Sequence, residues 1–160
     1  MHKIRQMQTQ DYNLLEKFLY HSIYIPVGEE IPPSEIIHEP EIFVYIKDFG
    51  GMDDFGVVAE LDNNLVGAAW TRIIPAYGNI DKHTPELAIS VDPKLRGQGI
   101  GTDLMNHLFD LLRSKGYKRT SLSVQQNNPA VRFYQRLGYE ITKEKQDHAG
   151  HDDYKMVKYL

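Results

Sequence analysis

The chain has 160 residues, 41% hydrophobic and 25% charged, a balance that fits one globular domain with one core and excludes a disordered chain. It has no Cys, which excludes a disulfide scaffold, a thiolate zinc site and a cysteine nucleophile. Its net charge of −4 lacks the basic footprint of a nucleic-acid binder, and no apolar run approaches the roughly 20 residues of a membrane span.

The polar start Met1-His2-Lys3-Ile4-Arg5-Gln6 leads into no apolar signal core, so the expected location is cytoplasmic. Residues 2–7 read as a short strand. Thr9 is the expected N-cap of a helix carrying Leu14, Leu15, Phe18 and Leu19 at helical spacing. Pro26, Pro32, Pro33 and Pro40 exclude a continuous helix over 26–40, and a second short helix is expected from Pro40 to Asp48. Val57–Leu61 and Leu65–Ile74 read as a hairpin around Asp62-Asn63-Asn64. Pro75 to Thr84 is a loop, and Glu86–Val91 is a compact strand.

A Gly-rich turn over residues 97–101 precedes a strongly amphipathic helix with Leu104, Met105, Leu108, Phe109, Leu111 and Leu112 at helical spacing, ended by Gly116. Thr120–Val124 is the next strand. Asn128 and Pro129 open another helix whose stripe is Ala130, Phe133, Tyr134 and Leu137, closed by Gly138. Strands are expected near Tyr139–Thr142 and Tyr154–Leu160, with the polar stretch Lys143–Asp153 as a solvated hairpin loop. That stretch holds His148, His151, Asp152 and Asp153, but a solvated loop describes them better than a metal site, so no metal is expected.

Physics makes the junction of strand, glycines and helix at Val91–Gly101 an anion site. Free N–H groups and the helix dipole favour a phosphate, and glycines let the backbone approach it. It is not the dinucleotide fingerprint, because position 102 is Thr, and it is not a P-loop, because no G-K-[ST] follows. Arg96-Gly97-Gln98-Gly99-Ile100-Gly101 resembles the R-x-x-G-x-G signature of the GNAT N-acetyltransferase superfamily. Asn127, Ala130 and Tyr134, followed by Gly138-Tyr139, resemble that family's N-x-x-A-x-x-x-Y motif and the aromatic after glycine. The resemblance covers the whole chain in element order and is weakest over 20–55. It implies an α/β, GNAT-like acetyltransferase fold over 1–160 as one domain, with a mixed, mostly antiparallel sheet, flanking helices and a splayed central strand pair.

The same resemblance implies acetyl-CoA as co-substrate and a primary amine as acceptor, whether a small amine, an amino acid derivative or a peptide N-terminus. The charge and hydropathy above argue against a nucleic-acid or membrane partner, and a homodimer is compatible with the resemblance. Backbone N–H groups across Gly97, Gln98, Gly99, Ile100, Gly101 and Thr102 would hold the pyrophosphate, and Arg96 either adds charge or is an exposed loop cation. Backbone groups of Ile89 and Val91, on a strand expected to carry a bulge, would meet the pantetheine arm, with Asn127 near it. Tyr134 is the implied acid at the leaving sulfur, or else a core tyrosine of its stripe. The slot where some relatives carry a basic Glu holds Ser123 here, so Glu86 is the alternative base; it lies either in a substrate cleft or at an exposed strand end. Trp70 and Arg72 alternate on one strand and either face the acceptor or, for Trp70, fill the core. The rival reading is a coenzyme A–binding sensor or scaffold that performs no transfer.

Overall fold

The computed structural model describes residues 1–74, 80–146 and 150–160. Seven strands form one sheet in the order β1-β2-β3-β4-β5-β7-β6. They are β1 Lys3–Gln6, β2 Phe55–Leu61, β3 Asn64–Arg72, β4 Glu86–Val91, β5 Arg119–Gln125, β6 Glu140–Gln146 and β7 Asp152–Tyr159. Every neighbouring pair is antiparallel except β4 and β5. The helices are α1 Leu15–Ser22, α2 Pro40–Phe43, α3 Ile100–Ser114 and α4 Ala130–Arg136.

Strand alternation sorts the apolar residues onto two faces. Val57, Ala59, Ala69, Leu87 and Leu122 meet Leu104, Met105, Leu108, Phe109 and Leu112 of α3. On the other face Val58, Ala68 and Trp70 meet Leu15, Phe18 and Leu19 of α1. Each fully buried Leu or Phe contributes about 1.5–3 kcal/mol, so these two stripes fix the helices to their faces. Trp70 is therefore core, and its indole N–H donates to the Tyr45 carbonyl at 2.9 Å. Arg72 donates to Asp54 (3.0 Å) and to the carbonyls of Val44 and Lys47. Both side chains of that pair are accordingly structural.

The β2–β3 hairpin turns through Asp62 (φ 51°) and Asn63 (φ 65°), the double left-handed pattern that matches strand twist. Helix α1 departs from expectation at its start. A 3₁₀ turn, Thr9–Leu14, precedes it, and the cap is Gln8 rather than Thr9. Asp11 explains the shift: its carboxylate accepts from the Gln8 N–H at 2.7 Å and from Arg5 at 2.8 Å, a charge-assisted anchor that a threonine hydroxyl cannot match. The expected helix over Pro40–Asp48 is one turn, Pro40–Phe43, followed by turns.

The tail differs more. Lys143–Gln146 belong to β6 rather than to a loop, with Lys145 opposite Asp153 in the ladder. Nearly all of β6 is exposed on both faces, so its sequence shows no apolar alternation. His148 and the 75–79 part of the loop after β3 lie outside the described residues. No described helix is long and apolar enough to cross a membrane.

At the centre of the sheet, β4 and β5 share one register pair, Glu86↔Ser121, before they part. β4 pairs with β3 in unbroken register from Gly67↔Val91 to Arg72↔Glu86, so the bulge expected on it does not occur. The irregularities fall instead at Ala59/Glu60 and Ile141/Lys143. The gap therefore arises from divergence of β4 and β5, and β4 itself stays regular.

Candidate active site

The divergence leaves backbone groups without a neighbouring strand. Just beyond β4 the Asp92 N–H bonds to the Val66 carbonyl, on the β3 side. By alternation, the N–H groups of Ile89 and Val91 point the other way, into the gap. Across it, the Ser121 N–H bonds to Pro85 and the Gln126 N–H to β7, so those of Ser123 and Gln125 also face the gap.

A cleft of about 640 Å³ opens at this end of the sheet. Ile89, Val91, Arg96, Gly97, Gly99, Ile100, Gly101 and Thr102 line it, as expected for cofactor contacts. Gln98 and Asn127 are exposed and are not among its lining residues. Gly97 (φ +79°) and Gly99 (φ +86°) hold left-handed backbone, and a Cβ on either would project into open space. No packing demands these glycines, but a side chain would fill the space in front of the helix start. The first intrahelical bond runs from Asp103 N–H to Gly99 O, leaving the N–H groups of Ile100, Gly101 and Thr102 as free donors at the positive end of a 15-residue helix. These residues fit a pyrophosphate.

Two bonds shape the mouth. Arg96 is exposed and its guanidinium donates to the carbonyls of Val91 (3.3 Å) and His21 (3.2 Å), tying the end of β4 to the end of α1. Tyr24 donates its hydroxyl to the Asn127 carbonyl at 3.2 Å. Residues His21–Tyr24 thus wall the cleft, a role with no sequence signal, because both bonds involve backbone carbonyls distant in the chain. Helix α4 starts at Ala130 with Pro129 at the cap position, one residue later than expected, and the Asn128 side chain accepts from the Ala130 N–H at 2.9 Å just ahead of it.

Helix α4 carries Phe133 and Tyr134 onto the cleft wall. A Cβ on Gly101 would meet the Phe133 ring at 3.4 Å, so α4 packs directly against the cradle. Tyr134 stacks edge-on against Tyr139, ring centres 5.8 Å apart, and burial pushes its phenol up to about 12. It stays protonated throughout the neutral range, as a proton donor must.

Glu86 lies neither at the surface nor among the cleft-lining residues. Its side chain is 1% exposed and accepts hydrogen bonds from Lys155 and from the Tyr45 hydroxyl. Lys155 is 4% exposed; burial pulls its ammonium below the usual lysine range, while Glu86 opposes that shift. Sequence reasoning missed Lys155 and Tyr45, which are 69 and 41 residues from Glu86 and join it only through the β5–β7 ladder and the α2 segment. Among the described residues no three His, Asp or Glu side chains cluster as a metal site would require.

Strand β4 diverging from its parallel partner, with a glycine-edged helix N-terminus at the opening and a phenol on its wall, makes a cleft suited to a ligand with a pyrophosphate and an extended arm. Residues 17–139 match the Acetyltransferase (GNAT) family, and the chain belongs to that family. Mycothiol acetyltransferase from Saccharomonospora viridis is 30% identical over 95 residues, 57% of this chain and 31% of that protein. N-alpha-acetyltransferase 50 from Danio rerio is 26% identical over 106 residues, 65% of this chain and 62% of that one. The chain thus spans about a third to three fifths of these relatives. The same fold occurs in a GNAT acetyltransferase from Streptococcus pneumoniae (TM-score 0.72, 20% identity, 100% of this chain and 99% of that one). It occurs also in PaiA N-acetyltransferase from Thermoplasma acidophilum in complex with coenzyme A (TM-score 0.68, 19% identity, 100% and 99%).

Proposed function

We propose that this chain, acting as one domain over residues 1–160, transfers the acetyl group of acetyl-CoA directly onto a primary amine. The observation that carries the reading is the open gap between β4 and β5, whose free backbone donors run into the glycine cradle at the start of α3. Acetyl-CoA supplies an activated thioester. The free amides of Ile100, Gly101 and Thr102 hold its pyrophosphate, and the gap-facing amides of Ile89 and Val91 hold its arm. The Val91 N–H polarises the reacting carbonyl where negative charge develops. Tyr134, protonated at neutral pH, donates to the leaving sulfur. Glu86 lies five residues before Val91, roughly 17 Å along the strand, and takes the proton of the acceptor ammonium through a chain of waters.

The pairing of Glu86 with Lys155 favours one rival, a coenzyme A–binding sensor with no working base. Thiol release from acetyl-CoA, measured against a panel of primary amines, separates the two. Amine-dependent release supports transfer. Tight acetyl-CoA binding with no release on any amine supports the sensor.

A further inference from the structure

Polar side chains form a continuous layer on the sheet face turned away from α3. Glu86 and Ser90 stand on β4, Ser121, Ser123 and Gln125 on β5, and Lys155 on β7, where Ser123 pairs with it. Leu122 and Val124 point to the α3 core, which fixes the alternation. Four oxygens of this layer, those of the Ser90, Ser121 and Ser123 hydroxyls and Gln125 Oε1, are buried and receive no hydrogen bond from any described residue. Ser90 is 4% exposed and Ser121 fully buried, and Ser90 also belongs to the lining of the cofactor cleft. A buried polar atom left without a partner opposes folding, and four such atoms on one patch are costly to keep for structure alone. They flank the place where β4 and β5 part.

We infer that this layer is the acceptor chamber, and that the acceptor is a small primary amine bearing hydroxyl or amide groups close to its nitrogen. The inference rests on the acetyl-CoA reading above. Gln125 Oε1 can only accept, and the serine hydroxyls accept or donate, so the matching ligand brings at least one N–H or O–H donor for Gln125 and further hydrogen-bonding groups for the serines. An alkyl or aryl amine brings only its ammonium. Lys155 is committed to Glu86, and Lys145 and Asp153 stand opposite one another beside Gln125 on the same face. Tyr45 closes over Glu86, and the segment that carries it must shift to admit the acceptor.

The test compares serinol with its isostere 3-aminopentane, and serinamide as a second polar amine, at saturating acetyl-CoA, with kcat/KM from thiol release expressed per free, unprotonated amine. The polar amines should be preferred at least tenfold. Gln125→Leu and Ser123→Ala should each cut that preference several-fold while acetyl-CoA still raises the melting temperature. Equal use of 3-aminopentane would overturn the inference and leave the cofactor reading intact. So would variants that melt higher but keep the same preference, which would make the orphan oxygens a purely structural burden. Absence of any thermal shift with acetyl-CoA would overturn the reading beneath it. Ser121→Ala provides a second substitution on the patch should Gln125→Leu fail to fold.

Discussion

Removing one oxygen separates the roles of Tyr134. In Tyr134→Phe the ring still packs against Phe133 and Tyr139, so acetyl-CoA affinity should change little. Turnover should fall by roughly 10²–10⁴-fold if the phenol is the proton donor. Because burial holds this phenol near 12, wild-type kcat should show no alkaline decline between about pH 7 and 10. A decline centred near pH 8–9 would assign the acid to another group. Lys155→Met tests the buried pair. It leaves the Glu86 carboxylate without its cation and should cost about 3–5 kcal/mol in urea unfolding, most of it regained in Lys155→Met/Glu86→Gln. At this scale the cradle was legible because Arg96–Gly101 is contiguous in the chain. Glu86's surroundings were not, because its partners come from other elements, and a carboxylate at a strand start looks the same whether wet or buried.

The start of α3 governs the cofactor site at the scale of elements. Gly99→Asp forces a side chain into left-handed backbone and places a negative charge before free helix amides. Coenzyme A binding by calorimetry should be lost while the circular dichroism spectrum of the folded chain persists. Normal binding would place the cradle elsewhere. Asn128→Ala removes the bond to the Ala130 N–H and should lower stability by about 1 kcal/mol. Helix α3 was readable because its burial follows one clean stripe, whereas β6, exposed on both faces, carries none. The 3₁₀ entry to α1 escaped because Asp11 and Arg5 compete there with the local cap signal, and that pairing needs β1 already in place.

For the whole molecule, acetyl-CoA at a hundredfold excess over its dissociation constant should add about 2.7 kcal/mol. At roughly 2–4 °C per kcal/mol for a chain of this size, the melting temperature should rise by about 5–10 °C. No rise at millimolar acetyl-CoA would count against the acetyltransferase reading as a whole. The divergence of β4 from β5 has a dynamic consequence. A four-stranded leaf, β1-β2-β3-β4, meets a three-stranded leaf, β5-β7-β6, through one register pair and the Glu86–Lys155 pair, so the seam is held at its Glu86 end and is weakest where β4 and β5 have parted. In native-state hydrogen exchange, the amides of Ile89, Val91, Ser123 and Gln125 should exchange early, well before their strand neighbours bonded to β3 or β7. Acetyl-CoA should slow all four together, on both leaves at once, as an inserted ligand takes the place of the missing strand.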